Sequence, residues 1–86
     1  DAWRQLLADC YERQAYAEAV GWGEAILRED PLREQVHREL MLCYVAQGQP
    51  ARAVRQYQAC AKVLERELGI RPFTATRELY EKISNL

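Results

Sequence analysis

Several things are scarce in this chain, and each scarcity excludes a class of protein. Its 86 residues contain one histidine, three cysteines, one methionine and four glycines. No apolar run approaches the ~18 residues that a membrane span requires. No charged-then-apolar leader pattern opens the chain. The cysteines, Cys10, Cys43 and Cys60, are odd in number and form no Cys-x-x-Cys pair. A secreted disulfide framework calls for an even count, so they read as reduced, buried thiols of a cytoplasmic protein. There is no glycine-rich phosphate loop. The formal net charge is only −1, without the basic excess typical of a nucleic-acid-binding module. The charge is uneven: residues 1–30 carry three Arg against seven acids, and residues 31–86 carry nine basic residues against six acidic ones.

What is present is a repeat. Leu6 recurs as Leu40 and Ala19 as Ala53, both 34 residues on, and Gln14 stands where Gly48 stands later. Tyr16-x-x-Ala19 and Gln49-Pro50-x-x-Ala53 fill the same slot before the second helix of each unit. A period of about 34 with helical spacing inside it marks a tetratricopeptide-like helix–turn–helix repeat. Such units build surfaces that hold other proteins rather than sites of reaction.

Within the repeat, apolar residues at three- and four-residue spacing predict five helices and no strand. Trp3, Leu6, Leu7 and Cys10 form the stripe of a helix over 2–13. A second helix over 17–29 directs Ala19, Trp22, Ala25 and Ile26 inward, with Gly21 and Gly23 allowing close helix–helix approach. Asp30-Pro31 reads as the cap and first residue of a third helix, because Asp accepts orphan amides and Pro has none to lose. Its inward residues are Val36, Leu40, Cys43 and Tyr44, and Gly48 ends it. A fourth helix runs from Pro50 to Leu68 with Val54, Tyr57, Ala61, Leu64 and Leu68 inward, and Gly69 ends it. Pro72 biases Arg71 toward extended backbone. Thr74 is the candidate cap of a fifth helix over 75–84, with Leu79, Tyr80 and Ile83 inward. The fold class is therefore all-α: a right-handed tetratricopeptide-like array of two helix–turn–helix units plus a C-terminal capping helix. The chain reads as one domain, with repeat one over 2–30, repeat two over 31–69 and the cap over 74–86. Because it opens directly in helical pattern, it reads as a segment of a longer protein.

Chemistry has few candidate carriers. His37 with the three cysteines is a nominal zinc set, but no ligand pair has metal-site spacing. His37 takes the repeat position of Trp3, which makes it an interhelical packing residue rather than a general base. The acids Glu12, Glu18, Glu24, Glu39, Glu65 and Glu67 are scattered on polar faces, without the paired setting that carboxylate catalysis needs. No enzyme activity, metal or cofactor is expected. A second stripe is the candidate contact face. Arg4, Ala8 and Tyr11 lie at i, i+4, i+7, and Arg38, Leu42 and Val45 repeat that spacing 34 residues later. On first helices of stacked units these residues face the concave side, where Arg grips a carboxylate in two-pronged fashion. The plainer reading is that the arginines are solvated or pair with Glu on the next turn. The contact stripe is thus Arg4, Tyr11, Arg38, Leu42 and Val45. Arg52, Arg55, Lys62 and Arg66 give the fourth helix a mild basic face, which reads first as solvated surface.

Two runs are more specific. Asp30-Pro31-Leu32-Arg33-Glu34-Gln35-Val36-His37-Arg38-Glu39-Leu40-Met41 is one, and Leu64-Glu65-Arg66-Glu67-Leu68-Gly69-Ile70-Arg71-Pro72 is the other. With Ala53-Val54-Arg55-Gln56-Tyr57 and the tail Thr76–Ile83, they resemble the bacterial transcriptional activator domain of actinobacterial antibiotic regulatory proteins and related regulators. Phe73-Thr74 departs from the Ser-Pro type start that the family often shows before its last helix. The resemblance implies a helical domain placed after a winged helix-turn-helix that reads DNA and recruits RNA polymerase. It also implies partners: the neighbouring DNA-binding domain, a second copy, or the transcription machinery. DNA would be reached only through a domain absent from this chain. The rival reading is a free-standing peptide-binding adaptor unrelated to transcription; a small metal or thiol enzyme is a more distant one.

Overall fold

The computed structural model describes residues 15–86, which form four helices and no strand. The helix expected over 2–13, and with it Trp3, Arg4, Leu6, Cys10 and Tyr11, lies outside the described residues. The four helices are α1 (Tyr16–Glu29), α2 (Glu34–Ala46), α3 (Pro50–Leu68) and α4 (Thr74–Ser84). Each packs on the next, and α4 also reaches back to α2. Helix α2 is therefore the central member, and its buried residues are Glu34, Val36, His37, Leu40, Met41, Cys43 and Tyr44. The arrangement is an all-α helical repeat. Ala19 and Ala53, one period apart in sequence, are both fully buried, as the echo requires.

Helix α1 buries Ala19, Val20, Gly23 and Ile26. Trp22 and Ala25, expected inward, are only half-buried, so the stripe is rotated toward Gly23. The reason is a close approach. A Cβ on Gly23 would stand 2.7 Å from Leu40 Cδ2 and 3.0 Å from its Cγ, and Leu40 itself is fully buried. Leu40 thus packs into the space that a side chain at position 23 would fill. No described residue lies within 4 Å of a Cβ built on Gly21.

The start of α2 departs from expectation. Asp30 and Pro31 do not cap and open the helix; Asp30 closes α1 by donating its N–H to Ile26 O, and α2 begins at Glu34. The Asp30 carboxylate instead organises a turn, accepting from Leu32 N at 3.4 Å and Arg33 Nε at 3.2 Å. Asp commonly bonds backbone two residues on in this way. The Pro31 carbonyl, which a helix starting there would bond internally, is taken by the His37 ring at 2.8 Å.

The glycine stops hold as expected. Gly48 and Gly69 have φ of +74° and +64°, the left-handed region that glycine enters without strain. Gly69 closes α3 with Gly69 N bonded to Glu65 O and Ile70 N to Leu64 O. Pro50 is the first residue of α3, but the inward row is offset from the expected one. Ala53, Cys60, Val63 and Leu64 are buried; Val54, Tyr57 and Ala61 are half-buried, and Leu68 is 54% exposed. The small side chains face the central helix, while Tyr57 turns toward α4 and stacks on Tyr80, with ring centroids 4.2 Å apart and planes 14° apart. In α4, Ile83 is buried and Leu79 and Tyr80 are half-buried. Thr74 is the first helical residue rather than the cap, a position held by Phe73 without a side-chain bond of its own.

The two mid-helix glycines of α1 should respond oppositely to alanine. Gly23→Ala gains about 1 kcal/mol of helix propensity but overpacks the core against Leu40, an effect of about 1–3 kcal/mol. A net loss of stability is expected. Gly21→Ala meets no neighbour among the described residues and should raise stability by up to about 1 kcal/mol. Urea melts of the two variants beside the parent chain check both signs.

Candidate interaction surface

The polar core is built on the N-terminal turns of α2. Glu34 is 6% exposed, and its Oε2 accepts the backbone N–H of Phe73. Phe73 is the residue that precedes α4, and its N–H would otherwise be left over, because the first turn of a helix has no internal partner for its amides. A carboxylate from another helix thus performs the service that a capping-box Glu performs within its own helix. Its negative charge also lies at the favourable end of the α4 dipole. One turn on, Arg38 Nη1 donates to Thr76 Oγ1 at 2.7 Å and lies 4.0 Å from Glu34 Oε2. Thr76 is fully buried. Glu34 and Arg38 on α2 therefore fasten α4 at two points.

The imidazole of His37 ties three segments together. Its Nε2 lies 2.8 Å from Pro31 O, and its Nδ1 lies 2.7 Å from the Gln56 amide nitrogen on α3. Since a carbonyl only accepts, Nε2 carries the proton and donates, and Nδ1 accepts from Gln56. The ring is thus neutral, with both nitrogens used. Burial is the largest influence on it and holds its pKa below the ordinary value, against the raising effects of the Pro31 hydrogen bond and the nearby Glu34 charge.

Cys43 and Cys60 are buried and form no disulfide. Burial pushes the Cys60 thiol up to about 12, with the Glu34 charge adding to it and Arg38 opposing. A thiol so placed is not a nucleophile at neutral pH, because the thiolate is the reactive form. Among the described residues, no group of three His, Cys, Asp or Glu side chains is placed to hold a metal ion. No described helix is long and apolar enough to cross a membrane. The surface depressions are open. One of about 150 Å³ is lined by Tyr44, Arg52, Arg55 and Gln56, and another of about 280 Å³ by Pro31, His37, Ala59, Lys62, Val63 and Arg66.

Of the expected contact stripe, Arg4 and Tyr11 lie outside the described residues. Arg38, Leu42 and Val45 are all half-buried on α2. Arg38 is not a free anchor, since its guanidinium is engaged with Thr76 and Glu34 inside the fold. The i, i+4 pairing with a neighbouring Glu, the plainer of the two sequence readings, is present. Val45 packs at the edge of the core, beside the cluster that holds Leu40 and Tyr44. Sequence reasoning did not find Glu34 and Arg38 as the residues that fasten α4. The signal was there in the run from Asp30 to Met41, in which Glu34 and Arg38 are four apart, but their partners lie 38 and 39 residues away.

Comparison with known proteins agrees with this architecture. A family model described as bacterial transcriptional activator domain matches residues 1–84. The chain belongs to that family. It is also 33% identical over 72 residues to Regulatory protein AfsR of Streptomyces coelicolor, a match that covers 84% of this chain and 7% of the relative. The chain therefore spans only a small part of that regulator's length. No solved structure matches it significantly. In this transcriptional activator domain, the run from Asp30 to Met41 that carries the resemblance has a structural meaning. Asp30 shapes the turn, Glu34 and Arg38 hold α4, His37 joins the turn to α3, and Leu40 fills the space beside Gly23.

Two predictions test the polar core. The first concerns pH. The folded state holds the His37 pKa below the unfolded value of about 6.5, so the unfolded chain binds this proton more readily. The contribution to stability is fully present above about pH 6.5 and is lost as pH falls from there toward the folded value. Thermal melts of the parent chain should drop by a few degrees between pH 7 and 5.5, before most carboxylates titrate. His37→Gln should start lower and show less of this drop. The second concerns α4. Thr76→Val leaves the Arg38 donor without its acceptor and should destabilise by about 1–2 kcal/mol. Its α4 amides should exchange faster than those of α1, as expected if the loss is local to the fastening.

Proposed function

We propose that this domain is a non-catalytic protein-interaction and regulatory module of a cytoplasmic bacterial transcription regulator. It would contact a neighbouring DNA-binding domain, a second copy or a partner protein, including parts of the transcription machinery. DNA is reached only through a domain outside this chain. The observation that carries the reading is the family match across residues 1–84. The AfsR relative is named a regulatory protein, which favours regulation over a free-standing peptide adaptor. The interior supports it as well. Among the described residues, no buried side-chain nitrogen or oxygen is left without a partner, so the core's polar atoms are engaged in holding the fold.

The proposed contact face runs along Arg4, Tyr11, Leu42 and Val45. Arg38 stands at its border, because its charge is engaged by α4. Leu42 and Val45 are the half-buried apolar residues there, the kind that a partner covers. The test is a double substitution, Arg4→Glu with Leu42→Ser, in the parent regulator. Docking of its neighbouring domain, measured by pull-down of the separately expressed domain, should weaken about tenfold while the helical circular dichroism is retained. Unchanged docking would remove this face from the proposal. Arg38→Glu is unsuitable, because it would release α4 as well.

A further inference from the structure

The basic face of α3 is exposed along its whole length. Arg52, Arg55, Lys62 and Arg66 follow one another at +3, +7 and +4, which keeps all four within a single narrow band of the helix. The band spans about 21 Å, at 1.5 Å per residue. Both open depressions described above lie along it. The smaller is at its N-terminal end beside Arg52 and Arg55, and the larger is at its C-terminal end beside Lys62 and Arg66. Two of the four cations are unspent: Arg55 and Lys62 make no hydrogen bond or ion pair among the described residues. Arg66 meets only the adjacent Glu67, at 3.6 Å with both side chains more than half exposed. Arg52 is oriented rather than neutralised, lying 4.5 Å over the Tyr44 ring and bonded to Gln49 Oε1 at 3.0 Å. Of the nearby carboxylates, Asp30, next to Pro31 in the larger depression, is held by Arg33, Glu24 of α1 lies toward the Tyr44 end, and Glu65 and Glu67 flank Arg66 on α3 itself.

We propose that this band docks an acidic helical segment of a partner protein, its carboxylates meeting Arg55 and Lys62 and its intervening apolar side chains entering the two depressions. Charge complementarity sets the sign of the partner, and the floor sets its class. Tyr44, Ala59 and Val63 contribute apolar surface to the depressions, which a protein side chain can cover and a phosphodiester backbone does not use. The whole chain carries a net −1 charge, which opposes the long-range attraction that duplex DNA binding depends on. Arg55 and Lys62 are seven residues apart, about 10.5 Å along α3, so an acidic helix lying alongside presents carboxylates two turns apart in register with them. The site lies on α3 and is separate from the α2 face discussed above, so either can fail without the other.

The experiment uses the 86-residue chain and a fluorescein-labelled, helix-forming peptide of Glu, Ala and Leu with acids at i, i+4 and i+7. Fluorescence anisotropy should show saturable binding that weakens with salt. In an NMR titration, the shifted amides should cluster on α3 between Arg52 and Arg66. Arg55→Glu with Lys62→Glu should reduce affinity about tenfold, since exposed ion pairs are individually weak and the reversal also introduces repulsion. The fold should be intact, because neither side chain has a partner among the described residues. The inference is overturned by absence of binding, by equal binding of the peptide with Gln in place of Glu, by undiminished affinity of the double variant, or by tighter binding of a 20-base-pair duplex than of the acidic peptide.

Discussion

A carboxylate buried beside the first turn of another helix is the constraint on which the C-terminal half of this domain rests. Isolated charge in a protein interior is strongly unfavourable, and Glu34 is tolerable only because the Phe73 amide and the Arg38 guanidinium converge on it. One partner stands four residues on in the same helix, and the other lies 39 residues away. Satisfying Glu34 therefore fixes where α4 begins, and the Arg38–Thr76 bond fixes how α4 is rotated once it has begun. The Tyr57–Tyr80 stack then lies in place at its far side. Replacing such a network by apolar residues can be neutral for stability, whereas removing one member leaves an uncompensated charge. The network's value lies in specifying one docking geometry for α4.

The same economy runs through the rest of α2. His37 connects the α1–α2 turn to α3 by using one ring nitrogen as donor and the other as acceptor. Leu40 occupies the volume that Gly23 leaves open. Cys43 and Cys60 act as small apolar side chains where helices come close. Among the described residues, the histidine and the cysteines that would attract attention as reactive groups pack or hydrogen-bond between helices. That is consistent with a family whose members are regulatory domains, and with a surface that carries one half-buried apolar face on α2 and one cationic band on α3.

Much of this was legible in the sequence because helical periodicity and chain-ending glycines are local signals. Gly48 and Gly69 stop helices through their own backbone freedom, and Val36, Leu40, Cys43 and Tyr44 line up by spacing alone. The misreadings fell where a distant group competed with a local rule. Asp30-Pro31 has the composition of a helix start, but the Pro31 carbonyl is drawn to His37 and the helix opens three residues later. At Arg38 the plainer of the two readings, a pair with a Glu one turn away, is present, and Thr76 adds a partner that spacing could not show. Leu68 fits the apolar spacing of α3 yet stands exposed, because the row that faces α2 is set by Ala53 and Cys60.

By itself, the sequence determined the all-α class, the 34-residue echo, the stops and the family resemblance, since these are written in fixed spacings along the chain or in runs read without gaps. Tertiary structure alone decided how the inward rows of α1 and α3 are offset from their apolar spacing, which charges are engaged and which are not. Hydrogen bonds such as Arg38 to Thr76, and close approaches such as Gly23 to Leu40, join residues that are neighbours only after the helices have packed. No property of a single helix reveals them.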